Sequence, residues 1–204
     1  MEDDSAIKCV GFIMDGNRRW AKAAGKRSLE GHRKGAETFT EIARAIRDRH
    51  IPHAVFYAFS TENWQRSEEE VQYLMDLFGE FLDTAEKKLK DNKEKKVHIK
   101  IVGRKDDFPA HLQNRIAELE EKDKEVEADT TIWVALSYGG RAEIVEAVNR
   151  VVAKGEKVNE ESFNELLWTA QMPDPDIIIR TSGEQRLSNF MTWKSVYSEL
   201  FFTD

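Results

Sequence analysis

Cysteine is almost missing from the sequence. Cys9 is the only one among 204 residues, so no disulfide can form within the chain and a reducing compartment suits it. Cys9 itself reads as a small buried apolar side chain rather than a reactive thiol. Long hydrophobic runs are missing too: the apolar stretches last a few residues, far below the roughly 20 that span a bilayer. The opening MEDDSAIK is acidic and polar, without the basic-then-apolar layout of a secretory signal. These features predict a cytoplasmic protein, with peripheral contact to a membrane surface allowed. A basic excess is absent as well. The formal net charge is −7, which argues against a general nucleic-acid binder while leaving room for a local basic site. There is no Walker A sequence, no G-x-G-x-x-G fingerprint and no Cys or His cluster with zinc spacing. Asn17 stands where a phosphatase of the haloacid dehalogenase type carries its second Asp. No internal repeat or low-complexity linker interrupts the chain.

What is present suits one compact domain. Hydrophobic residues make up 40% and charged residues 34%, enough apolar material for a core in a chain of this length. Residues 9–14, 54–59, 97–102, 131–136 and 176–179 are short apolar runs that read as strands buried on both faces. Between them lie helical patterns. Residues 35–49 place Phe39, Ile42, Ala43 and Ile46 on one face. Residues 68–90 place Val71, Leu74, Met75, Phe78, Leu82, Ala85 and Leu89 at spacings of three and four. Residues 109–126 and 140–154 behave similarly, and the charged run 118–129 reads as a solvated helix end and loop. Alternation of this kind predicts a single α/β domain with a mostly parallel central sheet flanked by helices.

Ligands of such sheets sit at the carboxyl ends of the strands. Asp15, Ser60 to Trp64, Ser137 to Arg141 and Arg180 to Arg186 all follow predicted strands and should gather along one edge. In FIMDGNRRW (12–20), Gly16 permits a tight turn, Asn17 can cap the next helix, and free helix amides bind phosphate. Arg18, Arg19, Lys22, Lys26, Arg27, Arg33 and Lys34 invert the local charge against Glu30 alone, which points to a polyanion. A carboxylate beside such a ligand makes sense with a divalent cation between them, since Mg²⁺ is held by one or two carboxylates plus substrate phosphates. The plainer account is a strand-end cap and a wet helix face. In AFSTENWQR (58–66), Ser60 or Thr61 can cap a helix and Trp64 can be core. In RTSGEQRLSNF (180–190), Arg180, Arg186 and Ser188 suit a second phosphate clamp, with an ion pair to Glu184 as the competing account. In YSELFFTD (197–204), Glu199 is either a surface acid on an amphipathic helix or a second metal ligand. His32, between Gly31 and Arg33, reads by default as a surface or packing histidine.

Taken together, IMDGNRRWA (13–21), EGHRKG (30–35), AFSTENWQR (58–66), SYGGRAEI (137–144), IIIRTSGEQRLSNF (177–190) and YSELFFTD (197–204) resemble the cis-prenyltransferases, the undecaprenyl diphosphate synthase family. The segments run in family order over residues 8–204, after a polar leader at 1–7. Family members usually continue past the position of Asp204 through a W-P-x-F stretch and a tail that reaches the partner subunit, a portion this sequence does not include. The resemblance implies a parallel sheet ringed by helices, a hydrophobic tunnel for the growing chain, and a homodimer or related heterodimer. The implied reaction joins isopentenyl diphosphate to an allylic diphosphate primer with a new cis double bond, using Mg²⁺. By position, Asp15 handles the Mg²⁺, Gly16, Asn17, Arg18 and Arg19 cradle the allylic diphosphate, and His32 stands beside the diphosphates. Asn63 assists proton removal, with Trp64 and Arg66 shaping the neighbouring wall. Trp20, Arg27, Ser60 and Glu62 join the substrate-binding set, Arg180, Arg186 and Ser188 hold isopentenyl diphosphate, and Glu199 completes the metal site across the dimer contact or beside it. Members often carry an Arg four residues before the histidine; here that position is Ser28, with Arg27 one place earlier as the substitute. Leu74, Met75, Phe78, Leu82 and Ala85 are expected either to line the tunnel or to fill solid core, and Trp133 is a candidate plug. A non-catalytic lipid-binding or partner subunit, and an unrelated metal-dependent phosphohydrolase, are the alternatives.

Overall fold

The computed structural model describes residues 7–90 and 97–204. The expected polar leader lies outside the described residues except for Ile7, and so does the side chain of Leu89. Six strands form one parallel sheet: β1 Cys9–Ile13, β2 His53–Ser60, β3 His98–Val102, β4 Thr131–Tyr138, β5 Ile177–Arg180 and β6 Glu199–Phe202. Their spatial order is β3-β4-β2-β1-β5-β6. The helices are α1 Asn17–Ala23, α2 Ser28–Asp48, α3 Glu68–Lys90, α4 Ala110–Asp123, α5 Gly140–Lys154 and α6 Glu160–Asn164, with short 3-10 turns at Thr61–Gln65 and Lys105–Asp107.

The strands read as unbroken apolar runs because both faces are covered. Val10 and Phe12 of β1, Phe56 of β2 and Val134 of β4 join Ile46 of α2, Phe78 and Leu82 of α3 and Ile116 of α4 in the larger core. On the opposite face Cys9, Ile13, Val55, Trp133 and Tyr138 pack with Met172, Ile178, Phe190 and Met191. Cys9 is fully buried, and burial pushes its thiol up to about 12, so it is an inert packing residue.

Three local expectations change. The helix read over 35–49 begins at Ser28, with Arg27 as its N-cap and the Arg27 amide donating to the Glu30 carboxylate at 3.0 Å. Asn17 does not cap α1; it is the first helical residue, and Gly16 holds the cap position. The segment around Glu199 is an edge strand rather than an amphipathic helix, with Glu199 paired to Ile177 and Phe202 to Arg180. Four residues are too few for helical and strand periodicity to differ.

The chain runs from β1 to β2 on one side and returns to the other side of β1 at β5. That reversal leaves a crevice at the carboxyl ends of β1, β2 and β5, the position where open α/β sheets bind ligands. At the same end β2 carries a register shift between Tyr57 and Phe59. Such irregularities re-aim side chains, and here Tyr57 and Ala58 both face the crevice.

Candidate active site

The crevice begins where β1 stops. Gly16 adopts φ 93°, and a Cβ there would stand 2.5 Å from Ser182 Oγ. Only glycine allows the tips of β1 and β5 to approach this closely. Asn17 is held from α2, where a Cβ on Gly31 would meet the Asn17 carbonyl oxygen at 2.2 Å. The turn thus has one available shape, and that shape aims Asp15 outward.

Asp15 is the focus of a bond network. Its Oδ1 accepts from the Gly16 amide at 2.6 Å. Its Oδ2 accepts from Arg180 Nη2 at 2.8 Å and Arg19 Nη2 at 3.3 Å. Thr181 Oγ1 donates to its carbonyl at 2.8 Å. Partial burial alone would raise the Asp15 carboxyl, but the Arg180 and Gly16 hydrogen bonds and the charges of Arg180 and Arg19 outweigh it and hold the group below the usual carboxylate range. Arg180 is itself buried and also donates from Nη1 to Ser188 Oγ at 2.8 Å and to the Arg186 carbonyl. Its Nε has no hydrogen-bond partner among the described residues. Arg186 is exposed and paired with Glu184, which also meets Arg19 at 3.3 Å.

An open cavity of about 740 Å³ lies in front of Asp15. Asp15, Gly16, Asn17, Arg18, Arg19, Arg27, His32, Asn63 and Arg66 line it, together with Met14, Lys22, Lys26, Ser28, Tyr57, Ala58 and Leu74. Six cationic side chains, counting Arg18, Arg19, Lys22, Lys26, Arg27 and Arg66, thus surround one carboxylate. In a protein of net charge −7 this is a local field for a polyanion.

A second cavity of about 380 Å³ adjoins the first and shares Met14, Asn17, His32, Tyr57, Ala58 and Leu74 with it. It runs between the sheet and helices α2 and α3. Its walls are mainly apolar: Phe39, Phe59, Met75, Leu77, Phe78, Phe81, Phe108, Val134 and Leu136. Phe39 closes against Phe81 at 5.5 Å and against Phe56 at 4.5 Å, both edge-on. Together the two spaces suit a ligand with a highly anionic head and a hydrocarbon tail.

The sequence matches, over residues 13–204, a family model described as putative undecaprenyl diphosphate synthase. The chain belongs to this family. It is 44% identical over 198 residues to an isoprenyl transferase of Thermotoga maritima, covering 95% of this chain and 83% of that one. It is likewise 44% identical over 204 residues to a ditrans,polycis-undecaprenyl-diphosphate synthase, (2E,6E)-farnesyl-diphosphate specific, of Micrococcus luteus, with 97% and 80% covered. Among solved structures it resembles lavandulyl diphosphate synthase from Lavandula x intermedia in complex with dimethylallyl diphosphate, at TM-score 0.92 and 32% identity over 98% of this chain and 88% of that one. A probable undecaprenyl diphosphate synthase from Campylobacter jejuni matches at TM-score 0.78 and 28% identity over 98% and 86%.

In this prenyltransferase several residues singled out in the sequence stand apart from the main cavity. Trp20 points off α1, is 44% exposed and does not line the cavity. Trp64 packs against Phe59 at 4.8 Å and Phe108 at 5.4 Å, and donates from Nε1 to Ser137 Oγ at 2.8 Å, so it is a structural wedge behind Asn63. Ser60 and Asn63 form a reciprocal cap, with the Ser60 amide donating to Asn63 Oδ1 at 3.0 Å. Glu62 accepts from Asn189 Nδ2 at 3.0 Å and so ties the end of β2 to the loop after β5. Leu74, Met75 and Phe78 line the apolar arm, whereas Leu82 and Ala85 are solid core. Trp133 is no plug: odd-numbered side chains at this point of β4 face the other side of the sheet, where its Nε1 donates to His53 Nδ1 at 3.3 Å. Arg27 does reach the cavity rim beside Ser28, where it pairs with Glu69 at 3.1 Å.

Glu199 and Asp15 do not meet within one chain. Glu199 begins β6 level with Ile177, while Asp15 lies beyond Ile13, which pairs with the last residue of β5. Among the described residues no group of three or more His, Cys, Asp or Glu side chains could hold a metal. The donor set instead fits a cation shared between Asp15 and ligand phosphates, because Asp15 opens onto the basic cavity and Mg²⁺ needs few protein ligands.

One acid of the site escaped the sequence reading. Glu70, in the first turn of α3, is 8% exposed and accepts from Arg66 at 2.9 Å and from His32 at 2.8 Å. The Arg66–Glu70 spacing of four residues is the signal that could have found it. Burial holds the His32 imidazole below its ordinary value despite the Glu70 hydrogen bond.

Proposed function

We propose that this prenyltransferase condenses isopentenyl diphosphate with an allylic prenyl diphosphate and extends it to a Z-polyprenyl diphosphate. The observation that carries the reading is the direct opening of a cavity with six cationic side chains and one carboxylate into an apolar arm. In the reaction the double bond of isopentenyl diphosphate attacks C1 of the allylic partner. The C–O bond to the allylic diphosphate breaks, and one proton leaves the newly joined unit. The allylic diphosphate lies against Gly16, Asn17, Arg18, Arg19 and Arg27, with His32 and Arg66 beside it. Fixed donors of this kind stabilise the charge that builds on the leaving oxygen. Arg180, Arg186 and Ser188 hold isopentenyl diphosphate next to Asp15, and Asn63 orients the group that takes the proton. Asp15 would hold a Mg²⁺ together with substrate phosphates, and that ion would supply charge neutralisation for the leaving diphosphate. Bulk water is excluded from the growing tail by the aromatic arm.

We also propose a homodimer in which Glu199 serves the partner subunit's metal site, since it cannot reach Asp15 in its own chain. The place of work is the cytoplasm, with peripheral membrane contact when the lipid product leaves. No helix among the described residues is long and apolar enough to cross a membrane. A non-catalytic partner subunit is not favoured, because Asp15 is present at the cavity and the relatives carry transferase names. Incubating the full chain with Mg²⁺, radiolabelled isopentenyl diphosphate and a short allylic diphosphate tests the reading. Chromatography should show labelled polyprenyl products that vanish on chelation. Failure to incorporate label under these conditions overturns it.

A further inference from the structure

The basic side chains of the cradle do not stand independently. Three of them converge on one oxygen. Glu70 Oε1 meets His32 Nε2 of α2 at 2.8 Å, Arg66 Nη1 at the end of the 3-10 turn at 2.9 Å, and Arg18 Nε of α1 at 3.8 Å. All three partners line the basic cavity, whereas Glu70 does not. Glu70 belongs to α3, so one carboxylate ties together four segments around the cavity mouth.

We propose that Glu70 is the positioning residue of the diphosphate cradle: it aims His32, Arg66 and Arg18 at the bound diphosphate without touching it. This rests on the functional reading above. An ionised carboxylate only accepts hydrogen bonds, so His32 must present Nε2–H to Glu70 and leave Nδ1 as its other ring nitrogen. Burial raises the Glu70 carboxyl, but the His32 hydrogen bond and the charges of Arg66 and Arg18 outweigh this and keep it ionised. Without Glu70, two guanidinium groups and an imidazole regain rotamer freedom, which must be lost again when ligand binds.

The role makes a prediction opposite in sign to simple electrostatics. Removing a negative charge from behind an anion site strengthens anion binding on Coulombic grounds alone. Removing a positioning residue weakens it. Inorganic pyrophosphate is therefore titrated calorimetrically into the full chain as wild type, Glu70→Gln and Glu70→Asp. Gln keeps the volume and loses the charge; Asp keeps the charge and withdraws the oxygen by one methylene. Both variants should bind pyrophosphate about tenfold more weakly, the loss of roughly one charged hydrogen bond, and KM for the allylic diphosphate should rise by a similar factor. In ¹⁵N imidazole NMR at neutral to mildly basic pH, His32 should be the Nε2–H tautomer in wild type and a mixture in Glu70→Gln. Unchanged or tighter pyrophosphate binding in the variants overturns the proposal, as does an unaltered His32 tautomer. If Glu70→Gln does not fold, Glu70→Asp decides alone. Wild-type protein that binds no pyrophosphate overturns the functional reading instead.

Discussion

Arg180 donates to Asp15 at 2.8 Å across the join between the tips of β5 and β1, and the two residues are buried to very different depths: 4% of the Arg180 side chain and 35% of the Asp15 side chain are exposed. The guanidinium thus backs the carboxylate, and the carboxylate faces the cavity. Structure and chemistry meet in this pair.

Replacing Asp15 tests both halves. Asp15→Ala should lower turnover by roughly 10²–10³-fold, the usual scale for losing one electrostatic contact to the transition state. It should also cost about 1–3 kcal/mol of stability, toward the low end because the acid is partly solvated, since Arg180 loses a charged partner in a buried position. Initial rates and urea midpoints measure the two effects. A variant with near-normal turnover would show that Asp15 is only a strand-end cap.

Acid should weaken the fold in two stages. His32 is held below its ordinary 6.5, mainly by burial. The unfolded chain then takes up the proton first, so stability present above that value is lost as pH falls through the folded value. Asp15 is held below 3.8 because its Arg180 and Gly16 hydrogen bonds outweigh burial, and its contribution disappears only at still lower pH. Urea midpoints measured from pH 7.5 downward should decline below about pH 6.5. The first decline should shrink in His32→Gln and leave the share of His53, which burial also holds below 6.5; an undiminished decline would remove His32 from it.

The aromatic floor should limit product length. Phe39 and Phe81, both in the wall of the apolar arm, meet at 5.5 Å. Phe81→Ala and Phe39→Ala should shift products to longer chains, while Trp133→Phe, on the opposite face of the sheet, should leave the distribution unchanged. Thin-layer or reverse-phase chromatography of the extracted lipids reads the outcome.

The separation of Glu199 from Asp15 predicts complementation. Asp15→Ala and Glu199→Ala proteins should each be nearly inactive alone. Unfolded together and refolded as a random mixture, they should recover about a quarter of wild-type activity, because half the dimers are mixed and each mixed dimer rebuilds one intact site. No recovery from properly dimerised protein would remove Glu199 from the site.

Much of this arrangement could be read before any coordinates, for identifiable reasons. Strands β1 to β5 are buried on both faces, so they appear as apolar runs, and their carboxyl ends carry Asp15, Asn63 and Arg180. The edge strand β6 was hidden because it is four residues long and exposes Glu199, Leu200 and Phe201. Glu70 was hidden because its contact with His32 spans 38 positions, and one sequence carries no record of such pairs. The stripe on α3 revealed which side chains turn inward, but not where the facing surface stops touching them. Phe78 and Leu82 share that stripe, yet one borders open space and the other solid core. Trp133 failed as a plug through parity: on β4 the even-numbered Val134 and Leu136 face the arm.

Helix α2 carries both His32, which lines the basic cavity, and Phe39, seven positions on, which lines the apolar arm. At the rise of an α-helix they are about 10 Å apart along one rigid rod. If Phe39 and Phe81 set the product length as predicted above, the measure of chain length is written partly in residue count, not only in side-chain bulk. An insertion of one helical turn between these positions would move the stop by about 5 Å while preserving the facing of both side chains. Lineages could retune their lipids by a short in-frame insertion as readily as by repacking aromatics.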